Sequence, residues 1–384
     1  MKRIAQILLV LAVVVLSLAA WKRDEIKRLL AVNSLFAPDR IVTNFSNMDR
    51  AFLTAPIGDA AGQPSELSKG PTAKLPREVE AWITDRSVTS LVVLKDGKIV
   101  TDAYFQDTGP DDLRINWSVS KSYLSALLGI VIDQGLVASI DDPVVTYAPE
   151  LAESAYADAT IKNVLQMSSG VAFNEDYLDQ SSDINRMGRV LALGRSMDGF
   201  TTALTDQTAQ PGDRWQYVSI DTHVIGMIIR GATGRPIAEL LAEYIITPLG
   251  FEQRPYMLTD GYGVSFVLGG LNSTTRDNAR FGQMIAQNGM WDGKQIVPAD
   301  WIAESTRASA KTEADQFGYG YQWWIPVGAR DGQFMARGIY GQYIYIDQTR
   351  NVVIATHGAD RQFRAEGAAD QNLATFRAIA ESLD

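Results

Sequence analysis

Ser118 and Lys121 form the only Ser-x-x-Lys of the chain, within Asn116-Trp117-Ser118-Val119-Ser120-Lys121-Ser122-Tyr123. Three residues is close to one helical turn, so on a helix entered near Ser118 the hydroxyl and the amine share a face. A serine hydroxyl is a weak nucleophile until a neighbour takes its proton, and a lysine takes it only when burial or nearby cations lower its pKa. The apolar Leu124, Leu127, Leu128 and Ile130 promise that burial. The same four residues also fit a plainer arrangement, with Ser118 capping the helix and Lys121 solvated in its first turn. A second constellation lies at Trp215-Gln216-Tyr217-Val218-Ser219, after the turn-forming Pro211-Gly212. The Tyr217 phenol could relay a proton between nucleophile and leaving group, and on extended backbone Ser219 projects from the same side. Taken alone, Tyr217 is equally well a packed aromatic with a satisfied hydroxyl, and Tyr123-Leu124-Ser125 has the same spacing.

Composition bounds what these residues could belong to. At 384 residues and 46% hydrophobic, the chain buries a large core and has room for two domains or one domain with a large insertion. A net charge of -10, without long Lys/Arg blocks, argues against a nucleic-acid partner, whose phosphates would be repelled. The absence of cysteine removes disulfides, zinc-thiolate sites and a cysteine nucleophile. With only His223 and His357, and no His-Glu-x-x-His, no metal or cofactor is expected. Neither Gly-x-Ser-x-Gly nor a phosphate-cradling glycine loop is present.

Several elements must position the reactive residues. Lys2 and Arg3 precede an apolar run from Ile4 to Ala20, broken only by Gln6 and Ser17 and followed by Trp21-Lys22-Arg23. Residues 1–24 read as a signal peptide or membrane anchor, which places the catalytic body outside the cytoplasm, periplasmic or anchored through residues 4–20. Residues 25–84, rich in turn formers such as Pro38, Gly58, Pro64 and Pro76, read as an extended segment on the surface of the main body. Leu91 to Leu94 and Ile99 to Phe105 flank an Asp96-Gly97 turn and predict a β-hairpin. Helical spacing dominates from the Ser118 helix to about Phe251, including Thr160 to Met167, Asp221 to Arg230 and Ile237 to Ile246. Strand signals return at Gly320 to Ile325, Gly341 to Asp347 and Asn351 to Thr356, and a helix from Asp370 to Leu383 ends the chain. Strands near both ends with helices between them predict an α+β fold: a mostly antiparallel sheet flanked by helices, spanning 85–384, with an all-helical insertion at about 135–270. The cleft between them is the default site.

Ser118-x-x-Lys121, Tyr217-x-Ser219 and the glycine-rich Gly338-Ile339-Tyr340-Gly341-Gln342, in that order, resemble the three motifs of the penicillin-recognising serine hydrolases, in their class C beta-lactamase-like branch. Asp141-Asp142-Pro143, Thr247-Pro248-Leu249-Gly250 and Gly269 to Asp277 agree with the connecting segments of that family, over roughly residues 85 to 384. Upstream, Asn44 to Asp49 resembles the lead-in of 6-aminohexanoate-oligomer hydrolases and related esterases. The resemblance implies a beta-lactamase/transpeptidase-like fold, Ser118 as the acylated nucleophile, Lys121 as its activating amine and Tyr217 as the group passing a proton to the leaving group. It also implies an oxyanion hole from the backbone N–H groups of Ser118 and Ile339, with Tyr177, Ser219, Asn272 and Tyr340 lining the substrate pocket.

One departure concerns specificity. The third motif of the family is often Lys-Thr-Gly or His-Thr-Gly, whereas this chain reads Ala336-Arg337-Gly338-Ile339. Arg337 is a substitute anion holder or a surface charge. Without that lysine, and with aromatic or neutral candidates (Tyr177, Asn272, Tyr340, Trp323 or Trp324) around the acyl group, short neutral acyl chains are expected to outperform penicillins. The reading is a serine hydrolase of small amides or esters. Alternatives are a beta-lactamase or D-alanyl-D-alanine carboxypeptidase, a catalytically silent binding protein on the same fold, and an esterase whose triad uses His357. No oligomeric state follows from the sequence.

Overall fold

In the computed structural model, which describes residues 2–58 and 64–384, the organising element is a seven-stranded antiparallel sheet. Its strands run, in spatial order, Lys98–Tyr104, Val88–Lys95, Val352–Gly358, Gln342–Asp347, Gln333–Gly338, Trp324–Ile325 and Gly318–Tyr319. The chain thus builds one sheet from two distant portions, and the hairpin turns at Asp96-Gly97, where both residues have positive φ as such a turn requires. Both faces are covered, which explains why the central strands are unbroken apolar runs. Val92, Leu94, Ile344, Ile346, Val353 and Ala355 face the main core, while Leu91, Val93, Tyr343, Tyr345 and Ile354 face a second cluster.

The second cluster is roofed by helices Glu78–Asp85 and Ala368–Glu381, joined where Trp82 Nε1 donates to Asn372 Oδ1 at 2.7 Å and meets Phe376 edge-on. Against the other face lies helix Thr275–Ala286, capped by Thr274, whose hydroxyl accepts from the Asp277 N–H. It approaches so closely that a Cβ on Gly282 would come within 2.6 Å of Ile344 and 2.7 Å of Val353. Beyond it runs helix Ser120–Asp133, with twelve of its fourteen residues buried, and then helix Ile220–Thr233. The fold is the expected α+β architecture, with mixed helices on antiparallel sheet. Thr160 to Met167 contains the helix Ile161–Leu165, and the final helix falls within two residues of its expected limits.

A second sheet, absent from the sequence reading, has four short antiparallel strands in the order Leu53–Pro56, Tyr256–Thr259, Leu271–Ser273 and Arg114–Ile115. Strands of two to four residues leave no alternation to detect. Its last strand delivers the chain to Asn116, whose N–H donates to the Leu271 carbonyl at 2.8 Å.

The segment 25–84 departs from the expected extended surface path. It contains helix Ile41–Phe45, takes in nearly all of helices Arg23–Asn33 and Glu78–Asp85, and supplies the edge strand Leu53–Pro56. Leu35, Ile41, Phe45, Met48, Phe52, Ile57 and Leu67 are all buried in the main core. The many turn formers mark changes of direction in a packed segment, and the apolar residues between them are what anchor it. At the N-terminus, helix Lys2–Trp21 contains the apolar run. Among the described residues no helix is long and apolar enough to cross a membrane.

Candidate active site

Ser118 lies in the turn of 3₁₀ helix Trp117–Val119 that immediately precedes helix Ser120–Asp133, not at a helix cap. Trp117, directly before it, has φ +44°, a left-handed conformation that is costly for a bulky residue and is held here by its surroundings. Those surroundings include the N-terminal segment. Phe45 meets Trp117 edge-on with ring centroids 5.6 Å apart, and Phe36 lies 6.0 Å from the same ring. On the other side Phe36 stacks on Tyr340 at 5.0 Å, and Tyr340 also has positive φ, +61°. The two residues flanking Ser118 and Ile339 are therefore clamped by one aromatic group.

Lys121 is buried and fully hydrogen-bonded. Its Nζ lies 2.9 Å from Ser118 Oγ, 3.2 Å from Ser219 Oγ and 2.7 Å from the Leu268 carbonyl. Burial pushes its pKa down to about 7, and the nearby Glu175 carboxylate pulls in the opposite direction. A neutral amine is thereby accessible near neutral pH, and the solvated-lysine arrangement is excluded by its 1% exposure.

Tyr217 covers the amine, with the Lys121 Nζ 5.4 Å from its ring centroid. Burial and then Glu175 push its pKa above the ordinary phenol value, while the Ser118 hydroxyl, Arg337 and the Ser219 hydroxyl pull it down. Its ring packs against Trp324 at 5.2 Å and edge-on to Tyr319 at 6.2 Å. Ser219 is buried behind Lys121 rather than facing a substrate. Its hydroxyl donates to Glu175 Oε1 at 2.5 Å, and its N–H, at the start of helix Ile220–Thr233, donates to Glu175 Oε2 at 2.9 Å. A carboxylate suits that helix N-terminus. Glu175 also accepts from Tyr177 Oη at 2.8 Å. Sequence reading passed over this glutamate, although it stands two residues before Tyr177 in Phe173-Asn174-Glu175-Asp176-Tyr177.

The edge of the large sheet closes the site. Gly338 is required here: a Cβ would sit 2.7 Å from the Asn116 carbonyl and 3.2 Å from the Ser118 nitrogen. This contact brings Ile339 beside Ser118 on the wall of one cleft of about 150 Å³, which is also lined by Glu175, Tyr177, Tyr217, Trp324, Arg337, Phe363 and Arg364.

Ser118, Tyr177, Tyr217 and Ile339 line this cleft, whereas four of the expected pocket residues, Ser219 as described above and three others, do not. Asn272 is fully buried in its strand, where its Nδ2 donates to the Gly270 carbonyl, and it does not line the cleft. Tyr340 stands behind the wall, between Phe36 and Phe363, the latter at 4.7 Å. Of the two tryptophans, Trp324 lines the cleft, whereas Trp323 is buried against Phe281 and Phe334. The expectation of an aromatic and neutral lining also needs correction. Arg337 is no surface charge: its guanidinium lies 5.4 Å over Trp324 and 5.5 Å over Phe317 and enters the cleft wall. Arg364, 4.8 Å over Tyr177, adds a second cation.

His357 does not serve Ser118. Its Nε2 is 2.8 Å from Asn116 Oδ1 and its Nδ1 is 2.8 Å from Thr275 Oγ1, so both ring nitrogens are engaged. Burial, reinforced by Arg114, holds its pKa well below the usual imidazole value. The ring is one member of a buried network with Asn116, Asn278 and Ser273 that fixes the strand end leading to Ser118. His223 bonds Asp198 instead, at 2.8 Å.

A hydrogen-bonded serine-lysine pair at the start of a buried helix, closed by an antiparallel sheet edge, is the arrangement on this beta-lactamase/transpeptidase-like fold. The chain belongs to the beta-lactamase family, whose model matches residues 79–375. Among curated proteins it is 30% identical over 292 residues to the 6-aminohexanoate-dimer hydrolase of Paenarthrobacter ureafaciens, covering 72% of this chain and 74% of that protein. A solved structure provisionally named 6-aminohexanoate-dimer hydrolase, from Bacillus anthracis, superposes with a TM-score of 0.80 at 22% identity, covering 91% of this chain and 96% of the other. A family VIII carboxylesterase superposes with a TM-score of 0.61 at 16% identity, over 82% and 99%. At those identities the two structures speak for the fold.

Proposed function

We propose that this hydrolase cleaves small linear amides or esters through an acyl-enzyme on Ser118. The observation that carries the proposal is the buried Lys121 amine, with its pKa near 7, 2.9 Å from Ser118 Oγ. In acylation, Ser118 Oγ bonds to the substrate carbonyl carbon as its proton passes to Lys121 Nζ. The carbonyl oxygen takes up the negative charge, stabilised by the N–H groups of Ser118 and Ile339. Tyr217, held between Lys121 and the cleft, delivers a proton to the leaving amine or alkoxide as the C–N or C–O bond breaks. Water then attacks the ester, gives its proton back through the same groups and releases the acid.

Substrate class follows from the cleft. Drug-sized ligands occupy pockets of roughly 300–1,000 Å³, and about 150 Å³ favours a short linear acyl group over a bicyclic β-lactam carrying its side chain. The two guanidinium groups on the wall suit a substrate with a carboxylate at one end. The relative from Paenarthrobacter ureafaciens is named for hydrolysis of the 6-aminohexanoate dimer, which makes that compound a natural trial substrate. In a side-by-side assay, a short-chain p-nitrophenyl ester and the 6-aminohexanoate dimer are expected to show higher kcat/KM than nitrocefin or benzylpenicillin. A higher value for either β-lactam would favour the beta-lactamase or carboxypeptidase reading instead.

We also propose that the run Ile4 to Ala20 carries the catalytic body out of the cytoplasm. Its support is a single 20-residue helix in which Ile4, Leu8, Leu9 and Leu16 are each more than 60% exposed, an apolar surface open to solvent at those positions. A reporter that is active only outside the cytoplasm, fused after Arg28, should give signal. Activity of a cytoplasm-only reporter at the same junction would contradict export.

A further inference from the structure

The Lys121 amine has three polar neighbours, and the direction of each bond decides where its lone pair points. The Leu268 carbonyl, at 2.7 Å, is an acceptor only. Ser219 Oγ, at 3.2 Å, is either a donor or an acceptor, because a hydroxyl has one proton to place. That proton is already committed to Glu175 Oε1, 2.5 Å away, since an ionised carboxylate has none to give. A second bond, from the Ser219 N–H to Glu175 Oε2 at 2.9 Å, and a third, from Tyr177 Oη at 2.8 Å, fix the carboxylate on both sides. Ser219 Oγ therefore presents only lone pairs to the amine.

From this geometry we infer that Glu175 is a positioning residue that aims the Lys121 lone pair at Ser118 by way of Ser219. A neutral amine has two N–H bonds and one lone pair. With one N–H taken by Leu268 and the other by Ser219, the lone pair is left facing the third neighbour, Ser118 Oγ at 2.9 Å. The Ser118 hydroxyl then donates, as a nucleophile about to lose its proton must. After the transfer the ammonium has three N–H bonds and three acceptors in the same places, so no reorientation is needed. The balance is simple: the Ser118 proton moves to Lys121, and Glu175 neither gains nor loses one.

This role rests on the acyl-enzyme reading above, and the Glu175→Gln variant tests it. The new amide can donate to Ser219, which frees the Ser219 proton to turn onto the Lys121 lone pair and block the base. Acylation, measured as the pre-steady-state burst with a p-nitrophenyl ester, should slow by about tenfold or more, in the range usual for general-base effects. The acidic limb of the kcat/KM profile should also move to lower pH, because the amine loses its nearest negative neighbour. Ser219→Ala combined with Glu175→Gln should be about as slow as the slower single variant, since one relay is lost only once. Tyr177, Tyr217, Arg337, Arg364 and the buried Asp221 also face this group, and Asp221, with its pKa pushed up to about 7 by burial, titrates in the same range. Its bonds run to Tyr156 and Ser169, so Asp221→Asn should leave the limb in place. The inference is overturned by additive losses in the double variant, or by a limb that moves with Asp221→Asn and not with Glu175→Gln. Absence of any Ser118 adduct in the wild type would instead remove the acyl-enzyme reading. A normal Ser118 adduct with an unshifted Glu175→Gln profile would remove only the role of Glu175. Thermal melts of each variant, with Tyr177→Phe as a one-bond control, separate misfolding from loss of alignment.

Discussion

Phe45 packs edge-on against Trp117 at 5.6 Å, and Trp117 is the residue that enters the Ser118 turn with positive φ. The segment before the matched family region thus holds part of the reactive geometry in place. Phe45 is fully buried, and truncation of such a residue typically costs about 3–5 kcal/mol. Phe45→Ala should lower stability by that order in denaturant melts and also reduce kcat. Phe36 is 39% exposed and stacks on Tyr340, so Phe36→Ala should cost less stability and yet still slow turnover. Equal kcat for wild type and both variants would show that the clamp does not shape the site.

The depressed lysine sets a pH dependence. With Lys121 at about 7 in the folded enzyme, kcat/KM for a neutral ester should fall about tenfold per unit below that pH and level off above it. A flat profile from pH 5 to 9 would contradict a lysine base.

The same shift makes a stability prediction with a definite sign. The folded pKa lies below the unfolded value of 10.5, so the burial penalty is fully present below about pH 7 and fades as pH rises towards 10.5. Lys121→Met removes the penalty. The variant should therefore melt at a higher temperature than wild type at pH 6, with the gap narrowing steadily by pH 10. A gap of opposite sign, or one independent of pH, would argue that the amine is not desolvated.

Arg337 offers a test of specificity. Because its guanidinium is held over Trp324 on the cleft wall, Arg337→Gln should raise KM for carboxylate-bearing amides severalfold while leaving neutral p-nitrophenyl esters nearly unchanged. Equal effects on both classes would mean that it serves packing alone.

How much of this was legible in the sequence depends on the range of the signal. Ser118 and Lys121 are three residues apart, and the hairpin at Asp96-Gly97 is local, so spacing and turn chemistry sufficed. In the large sheet the inner strands Val88–Lys95, Gln342–Asp347 and Val352–Gly358 were legible because they are apolar runs, whereas Gln333–Gly338 and the two-residue Gly318–Tyr319 were not. The four-stranded sheet was not, since its strands have two to four residues and two of its three pairings join positions more than a hundred residues apart. Glu175 was passed over and Arg337 was left between anion holder and surface charge, because nothing local marks a carboxylate that reaches a helix start 44 residues away, or a guanidinium laid over a tryptophan. Asn272 shows the reverse failure. Its motif matched the resemblance, but its strand turns the side chain to the Gly270 carbonyl and away from the cleft.

The central claim is that Ser118 becomes covalently acylated with Lys121 as its base. Intact mass spectrometry after incubation with an activated ester, a fluorophosphonate and a penicillin tests it directly, with peptide mapping of any adduct. Wild type should carry one ester- or fluorophosphonate-derived adduct on Ser118, Ser118→Ala should carry none, and Lys121→Ala should label orders of magnitude more slowly. An adduct mapped to any other residue, or undiminished labelling of Ser118→Ala, would contradict it.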